Sequence, residues 1–284
     1  MNNASTWSGE RLETFVFNST TVEHLHRYAI ASGYIKNMIV LDIASGEGYG
    51  SNLLAKYAAK VIGVDLDKIT IETAKTKYQA ANLEYRVGSA DSIPVESNSI
   101  DVVISFETIE HHDKHHEMMK EIKRVLVPNG ILIMSSPDKK HYSDERNYKN
   151  PFHVKELYLN ELKELIGKYF INTRFSFQNI FNGSLVIPEQ QIIGFDFFNG
   201  DFDVVELRQG VVPMYILAFA SDSNIEYENN ASCFDGENIF AHHQENLYEA
   251  LRKKVRDETA LWIKSSWSYK IGNAILKPLK FFKK

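Results

Sequence analysis

Cysteine is nearly absent from this 284-residue chain, with Cys233 its one thiol. That excludes an intramolecular disulfide framework and, taken alone, a zinc-cysteine cluster, so Cys233 reads as a buried structural thiol. Long apolar runs are missing as well. No stretch of 18 apolar residues could cross a bilayer, and the opening MNNASTWSGE lacks the basic and apolar segments of an export signal, so the expectation is a cytoplasmic chain. Positive charge is scarce over most of the length. Residues 252–284 hold ten Lys or Arg against Asp257 and Glu258, a local balance of +8, which leaves −13 on residues 1–251 within a net charge of −5. So acidic a body repels nucleic-acid phosphate, and no nucleic-acid partner is expected. What remains is ample: 44% hydrophobic residues in 32.6 kDa suffice for a full core.

From 38 to about 136, short β-branched runs alternate with helical patterns, the signature of βαβ units around a parallel sheet. MIVLDIA (38–44), KVIGVDL (60–66), NLEYRVGSA (82–90), IDVVISFE (100–107) and GILIMSS (130–136) read as strands. Helices are predicted over 51–58, 68–80 and 114–126, the last with Asp113 as N-cap. Pro128, Asn129 and Gly130 punctuate the final passage from helix to strand. Further on, 156–168 is helical by pattern, FINTRFSFQ (170–178) is a strand candidate, and VVPMYILAFASD (211–222) makes the last strand. The division expected is an N-terminal cap (1–37), an α/β domain (38–222) with an insertion or lid near 182–210, and a polar linker with a basic helical tail (223–284).

LDIASGEGYGS (41–51) sets small residues between a strand and a helix, where the backbone can turn sharply and approach a ligand. Asp65 follows 19 residues after Gly46 at a strand end, where an acid can accept from two ribose hydroxyls. The pair fits a nucleoside-containing cofactor. The dinucleotide fingerprint requires a third glycine where Ser51 stands, with Gly50 one place early. Asp42, inside the strand before the loop, can order the turn and meet a ligand's ammonium group, which favours S-adenosylmethionine; a carboxylate that only staples the loop is the alternative.

VLDIASGEGYGS, VIGVDLD, GSADSIP, SIDVVISFETIEH and EIKRVLVPNGILIMSSPD, in this order over residues 38–138, resemble the class I S-adenosylmethionine-dependent methyltransferases. The chain departs from many members in carrying Ala44 at the first glycine position. The resemblance implies a Rossmann-like α/β fold, its sheet mainly parallel with an antiparallel final strand. It implies that the 44–48 backbone, Ala44, Gly46 and Gly48 included, holds the methionine end of the cofactor and that Asp65 binds the ribose. Leu66 would pack on adenine, Asp91 after Ala90 would accept from its amino group, and Ser105 and Phe106 would form the pocket floor. The absence of an Asn-Pro-Pro-Tyr-type tetrapeptide argues against base N-methylation, and a cysteine outside the motifs argues against cytosine attack. Oxygen is the expected acceptor.

SFETIEHHDKHHE (105–117) packs four histidines and four acids into thirteen residues. Glu107, Glu110 and His111 fall on the loop beyond a strand's carboxyl end, where ligands of open parallel sheets bind. His111 is the candidate base, with Glu110 or Glu107 fixing its tautomer; a histidine that merely bonds backbone is the alternative. Glu107, Glu110 and His111 also look like the E-x-x-E-H metal motif of small-RNA 2′-O-methyltransferases, with His153 as second histidine and Mg²⁺ or Mn²⁺ as the ion. His112, His115 and His116 read as solvated. Arg27 and Tyr28 are candidates for the cofactor carboxylate. EHLHRY, VLDIASGEGYGS, SFETIEH and NPFHVKEL together are similar to methyltransferases of bacterial surface-polysaccharide (O-antigen type) synthesis. That implies a glycan hydroxyl or phosphate as acceptor; a small lipophilic or secondary metabolite, or a non-catalytic scaffold in a glycan-assembly complex, are the other readings. Residues 261–284 interleave aromatics with lysines, as in segments that meet an anionic membrane surface or a protein such as a glycosyltransferase, peripheral on the inner face of the membrane.

Overall fold

The computed structural model describes residues 12–189, 198–200, 202–207, 212–225 and 231–276. Two compact units divide it, 1–237 and 238–284. In the first, α1 (Ser19–Ser32) starts at Asn18, whose side chain accepts from the Thr21 backbone while Thr21 reciprocates. Next come β1 (Ile39–Ile43), α2 (Tyr49–Leu54), β2 (Lys60–Asp65), α3 (Lys68–Lys77), capped by Asp67, and β3 (Leu83–Val87). β4 (Ile100–Phe106), α4 (His115–Val125), β5 (Leu126–Pro137), α5 (Leu159–Gly167) and β6 (Asn172–Ile180) complete the alternation. β7 (Gly183–Pro188), the short hairpin β8 (Phe198–Gly200) and β9 (Val205–Leu207), β10 (Tyr215–Ser221) and β11 (Ser232–Asp235) follow.

Nine strands form one sheet in the order β11-β7-β6-β10-β5-β4-β1-β2-β3. β1 to β5 pair in parallel, whereas β10 is antiparallel to both β5 and β6, β6 to β7, and β7 to β11. The sheet is therefore a parallel half joined to an antiparallel half, not a parallel sheet with one reversed strand. Residues 183–188, expected in an insertion, are sheet; most of the segment 190–211 lies outside the described residues.

Both faces of the sheet are covered, which is why its strands read as nearly continuous apolar runs. On one side α4 and α5 bury Met118, Met119, Ile122, Leu162 and Ile166 against Leu41, Val103 and Leu132. On the other, α1 and α2 bury Tyr28, Ala31 and Leu54 against Val40, Val61 and Val102. Between the pairs Ile100–Leu126 and Val102–Ile131 the register shifts, so Pro128 to Gly130 form a bulge inside β5 instead of a turn before it.

The second unit comprises the remainder of α6 (Glu237–Ser265), which begins where the first unit ends, and α7 (Trp267–Leu276). Of the polar stretch 223–240, expected as loop, 232–235 are strand β11 and 237–240 begin α6, and Cys233 on β11 is exposed instead of buried; the last eight residues of the tail lie outside the described residues.

Candidate active site

Between β1 and α2 the chain makes its sharpest turn. Ala44, Gly46 and Gly48 all have positive φ, at 57°, 53° and 91°. A Cβ placed on Gly46 would meet no atom within 4 Å, so this backbone faces open space. Gly48 and Gly50 are required for another reason. A Cβ on Gly48 would lie 2.6 Å from the Tyr85 hydroxyl, and one on Gly50 2.0 Å from a Tyr28 ring carbon. Gly48 thus makes room for Tyr85, correcting its assignment to ligand approach.

Two carboxylates hold the loop. Asp65 accepts from Gly46 N (3.0 Å) and Asp67 N (2.9 Å), placing the acid at the cavity edge next to the turn. Asp42 is 1% exposed and accepts from Ser51 Oγ (2.6 Å); burial pushes its pKa up to about 7. It does not border the cavity. Asp42 is therefore the staple between β1 and α2, and the expected contact with a ligand ammonium is corrected.

Beyond the carboxyl ends of β1, β2 and β4 opens a cavity of about 440 Å³, within the range of cofactor sites. Ala44, Gly46, Asp65, Leu66, Ala90, Asp91 and Phe106 border it, with Leu66 72% exposed at the rim. Ser105 does not; it is fully buried behind Phe106. The segment before α1 closes one side: Leu12 borders the cavity, and Thr14 N donates to Glu47 beside the glycine loop (2.9 Å). Tyr28, Tyr49 and His24 complete that wall, with the Tyr49 hydroxyl 2.9 Å from His24 Nδ1. Asp91 is bound by Ser89 and by Lys114 Nζ (2.5 Å), contacts that hold its carboxyl down at about 2. Nothing in the motif spacing pointed to Lys114.

Glu107 follows β4 directly, in the left-handed region (φ 49°). Ser135 Oγ donates to it at 2.6 Å and Arg27 Nη1 lies 3.2 Å away. Arg27 is completely buried, donates through Nε to Gln178 (2.7 Å), and stacks its guanidinium 4.4 Å from the centre of the Tyr215 ring. It does not border the cavity, so its proposed reach to the cofactor carboxylate is corrected: it neutralises Glu107. Glu23, which accepts from the Tyr215 hydroxyl (3.1 Å), joins this cluster with its pKa raised to about 8 by burial, against the pull of Arg27.

Behind the cavity wall, Glu110, His111 and His153 each present a ligand-type atom within 4.8 Å of the others. His111 Nδ1 donates to Phe152 O (3.1 Å) and His153 Nδ1 to Glu156 (2.5 Å), so both rings carry their lone pair on Nε2. Asn150 donates to His153 Nε2 (2.9 Å), its own orientation set by accepting from Phe152 N (3.0 Å). Both Glu110 carboxylate oxygens are buried without a hydrogen bond; burial, and then Glu107, push its pKa well up. Glu107 stands outside the trio, engaged by Ser135 and Arg27, which corrects the expectation that it is a metal ligand. Two imidazoles and a carboxylate suit a divalent cation chemically, provided that Asn150, which fills the His153 Nε2 lone pair here, gives way to it. His111 borders the cavity; Glu110 and His153 do not.

His115 is 5% exposed and bonds the His112 carbonyl (2.8 Å), which corrects the solvated assignment; His116 meets the Tyr169 hydroxyl (3.0 Å), and His112 borders the cavity. Asp113 also borders the cavity, and the N-cap of α4 is Lys114, with no side-chain cap.

Residues 41–134, from β1 to within β5, match the family model of the methyltransferase domain. A probable S-adenosylmethionine-dependent methyltransferase of Mycolicibacterium smegmatis is 37% identical over 128 residues, 45% of this chain and 49% of that one. A ubiquinone biosynthesis O-methyltransferase of Pelagibacter ubique is 31% identical over 107 residues, 37% of this chain and 44% of that one. The chain spans about half the length of the curated relatives it matches. Among solved structures, an S-adenosylmethionine-dependent methyltransferase and possible histamine N-methyltransferase of Thermotoga maritima shares the fold, with a TM-score of 0.51 at 18% identity over 72% of this chain and 90% of that one. Residues 41–134 thus match a methyltransferase domain, set in a Rossmann-like fold. S-adenosylmethionine is the cofactor expected of it, and the open backbone at Gly46 beside Asp65 fits that molecule.

Proposed function

We propose that the chain is an S-adenosylmethionine-dependent O-methyltransferase acting on a sugar hydroxyl or phosphate of a cell-surface glycan or its precursor. The observation that carries the oxygen-directed reading is His111, which borders the cofactor cavity with its lone pair directed to Nε2 by the Phe152 carbonyl. Bound S-adenosylmethionine supplies an electrophilic methyl group. The chain's own residues seat it through the 44–46 backbone and Asp65, close the cavity with Leu12 and Tyr28, and accept the acceptor's proton at His111 Nε2. Glu107, neutralised by Arg27, shapes the acceptor side and is not itself the base. As the alternative to a free base at His111, Glu110, His111 and His153 would hold Mg²⁺ or Mn²⁺, with His111 Nε2 as a ligand, and the ion would supply Lewis-acid lowering of a hydroxyl pKa.

Support for the glycan is the joint pattern of EHLHRY and NPFHVKEL around the site. The Pelagibacter ubique relative, named for ubiquinone biosynthesis, favours a second acceptor class, a small lipophilic metabolite, which a phenolic fraction probes below. In this reading the basic aromatic end, with Trp267, Tyr269, Ile271 and Ile275 exposed on α7, keeps the enzyme at an anionic membrane surface or on a glycosyltransferase. No helix among the described residues is long and apolar enough to cross a membrane.

The test is transfer of labelled methyl from S-adenosylmethionine to lipid-linked glycan, nucleotide-sugar and phenolic fractions. Label on glycan, reduced about 10²–10⁴-fold by His111→Ala with S-adenosylhomocysteine binding intact, supports the proposal. Label on the phenolic fraction alone selects the second acceptor, and binding with no transfer to any fraction leaves a scaffold. Chelation followed by Mn²⁺ rescue supports the ion; indifference to chelator removes it.

A further inference from the structure

α6 runs for 29 residues, about 44 Å, without one buried residue. Phe240, Leu247, Leu251, Val255 and Trp262 recur at intervals of seven, four, four and seven, which sets them along a single face. Leu247, Leu251, Val255 and Trp262 are 52–73% exposed. A continuous apolar stripe of this length marks an interaction surface.

Two features say what covers it. The stripe is symmetric about Leu251: Leu247 and Val255 stand four residues to either side, and Phe240 and Trp262 eleven. An antiparallel copy of the same helix centred there sets Leu247 opposite Val255, Phe240 opposite Trp262, and Leu251 against its own equivalent. Charge follows the same axis. Glu237, Glu245 and Glu249 give the first half −3, while Arg252, Lys253, Lys254, Arg256 and Lys264 against Asp257 and Glu258 give the second half +3. Antiparallel pairing brings opposite halves together and sets Glu249 across from Lys253; parallel pairing stacks like on like. An anionic membrane would repel the acidic half.

We propose that α6 pairs with α6 of a second copy of this chain in an antiparallel two-fold coiled coil centred on Leu251. Such an interface is isologous, closes on itself and stops at the dimer. It stands independently of the acceptor proposed above.

Sedimentation equilibrium of the intact chain should give twice the 32.6 kDa monomer mass. Leu251→Glu, which sets two carboxylates face to face on the axis, should give the monomer with the helical circular dichroism retained. Cross-linking supplies a second reading that does not depend on that variant folding. With Cys233 replaced by Ser, Leu251→Cys should oxidise to a covalent dimer, Leu247→Cys alone should not, and Leu247→Cys combined with Val255→Cys should. A monomeric native chain, whether or not it binds phosphatidylglycerol vesicles, overturns the proposal. Equal cross-linking at Leu247→Cys and Leu251→Cys, the mark of parallel helices, overturns it as well.

Discussion

Asp42 offers a direct physical test of how the cofactor loop is built. Its carboxyl is 1% exposed, and burial lifts its pKa from 3.8 to about 7 while Ser51 Oγ, donating at 2.6 Å, pulls the other way. A pKa raised in the folded state means that folding favours the protonated acid. Stability from this group is therefore full below about 3.8, falls as pH rises, and is lost once pH passes 7. Between pH 5 and pH 8 the loss is about 3 kcal/mol, at roughly 1.4 kcal/mol per pH unit up to the folded pKa. Asp42→Asn removes the titration but keeps an oxygen to accept from Ser51. Urea unfolding of both proteins without cofactor should show the variant gaining on the native chain by about that amount from pH 5 to pH 8. Parallel profiles would refute the view that Asp42 is a buried, dry staple.

Gly50→Ala forces a methyl group to 2.0 Å from the Tyr28 ring. It should cost about 1–3 kcal/mol of stability in denaturant unfolding, and Tyr28→Leu should recover part of it, because the clash is between these two residues. Lys114→Met leaves Asp91 with Ser89 alone, so the Asp91 carboxyl, seen by NMR titration, should rise from about 2 towards the ordinary range. An unchanged value would show that Lys114 does not set it.

Much of the parallel half was legible, because each of its elements is specified locally. Strand runs were placed to within a few residues, and the 19-residue spacing from Gly46 to Asp65 predicted a carboxylate beside the turn, where it accepts from Gly46 N. The glycines were legible as necessary, but not for their reasons: Gly48 and Gly50 are dictated by Tyr85 and Tyr28, partners distant in sequence. The antiparallel extension was missed because β7 sits in a stretch rich in Gly, Asn and Phe and β11 has only four residues, so neither carries a strand-length alternation. Arg27 was misplaced for a related reason. Its partner Glu107 lies 80 residues away, and a buried ion pair leaves no periodic trace. All three residues of the metal-type trio, Glu110, His111 and His153, were named from the sequence, but only the fold shows Phe152 and Glu156 fixing the tautomers and Arg27 removing Glu107 from the set.

The central claim is that the cavity beside Gly46 and Asp65 holds S-adenosylmethionine. Isothermal titration of the intact chain with S-adenosylhomocysteine measures this directly. One site per chain is predicted, weakened at least tenfold by Asp65→Ala and unaffected by Leu251→Glu. No binding to the native chain, or equal affinity after Asp65→Ala, would contradict it.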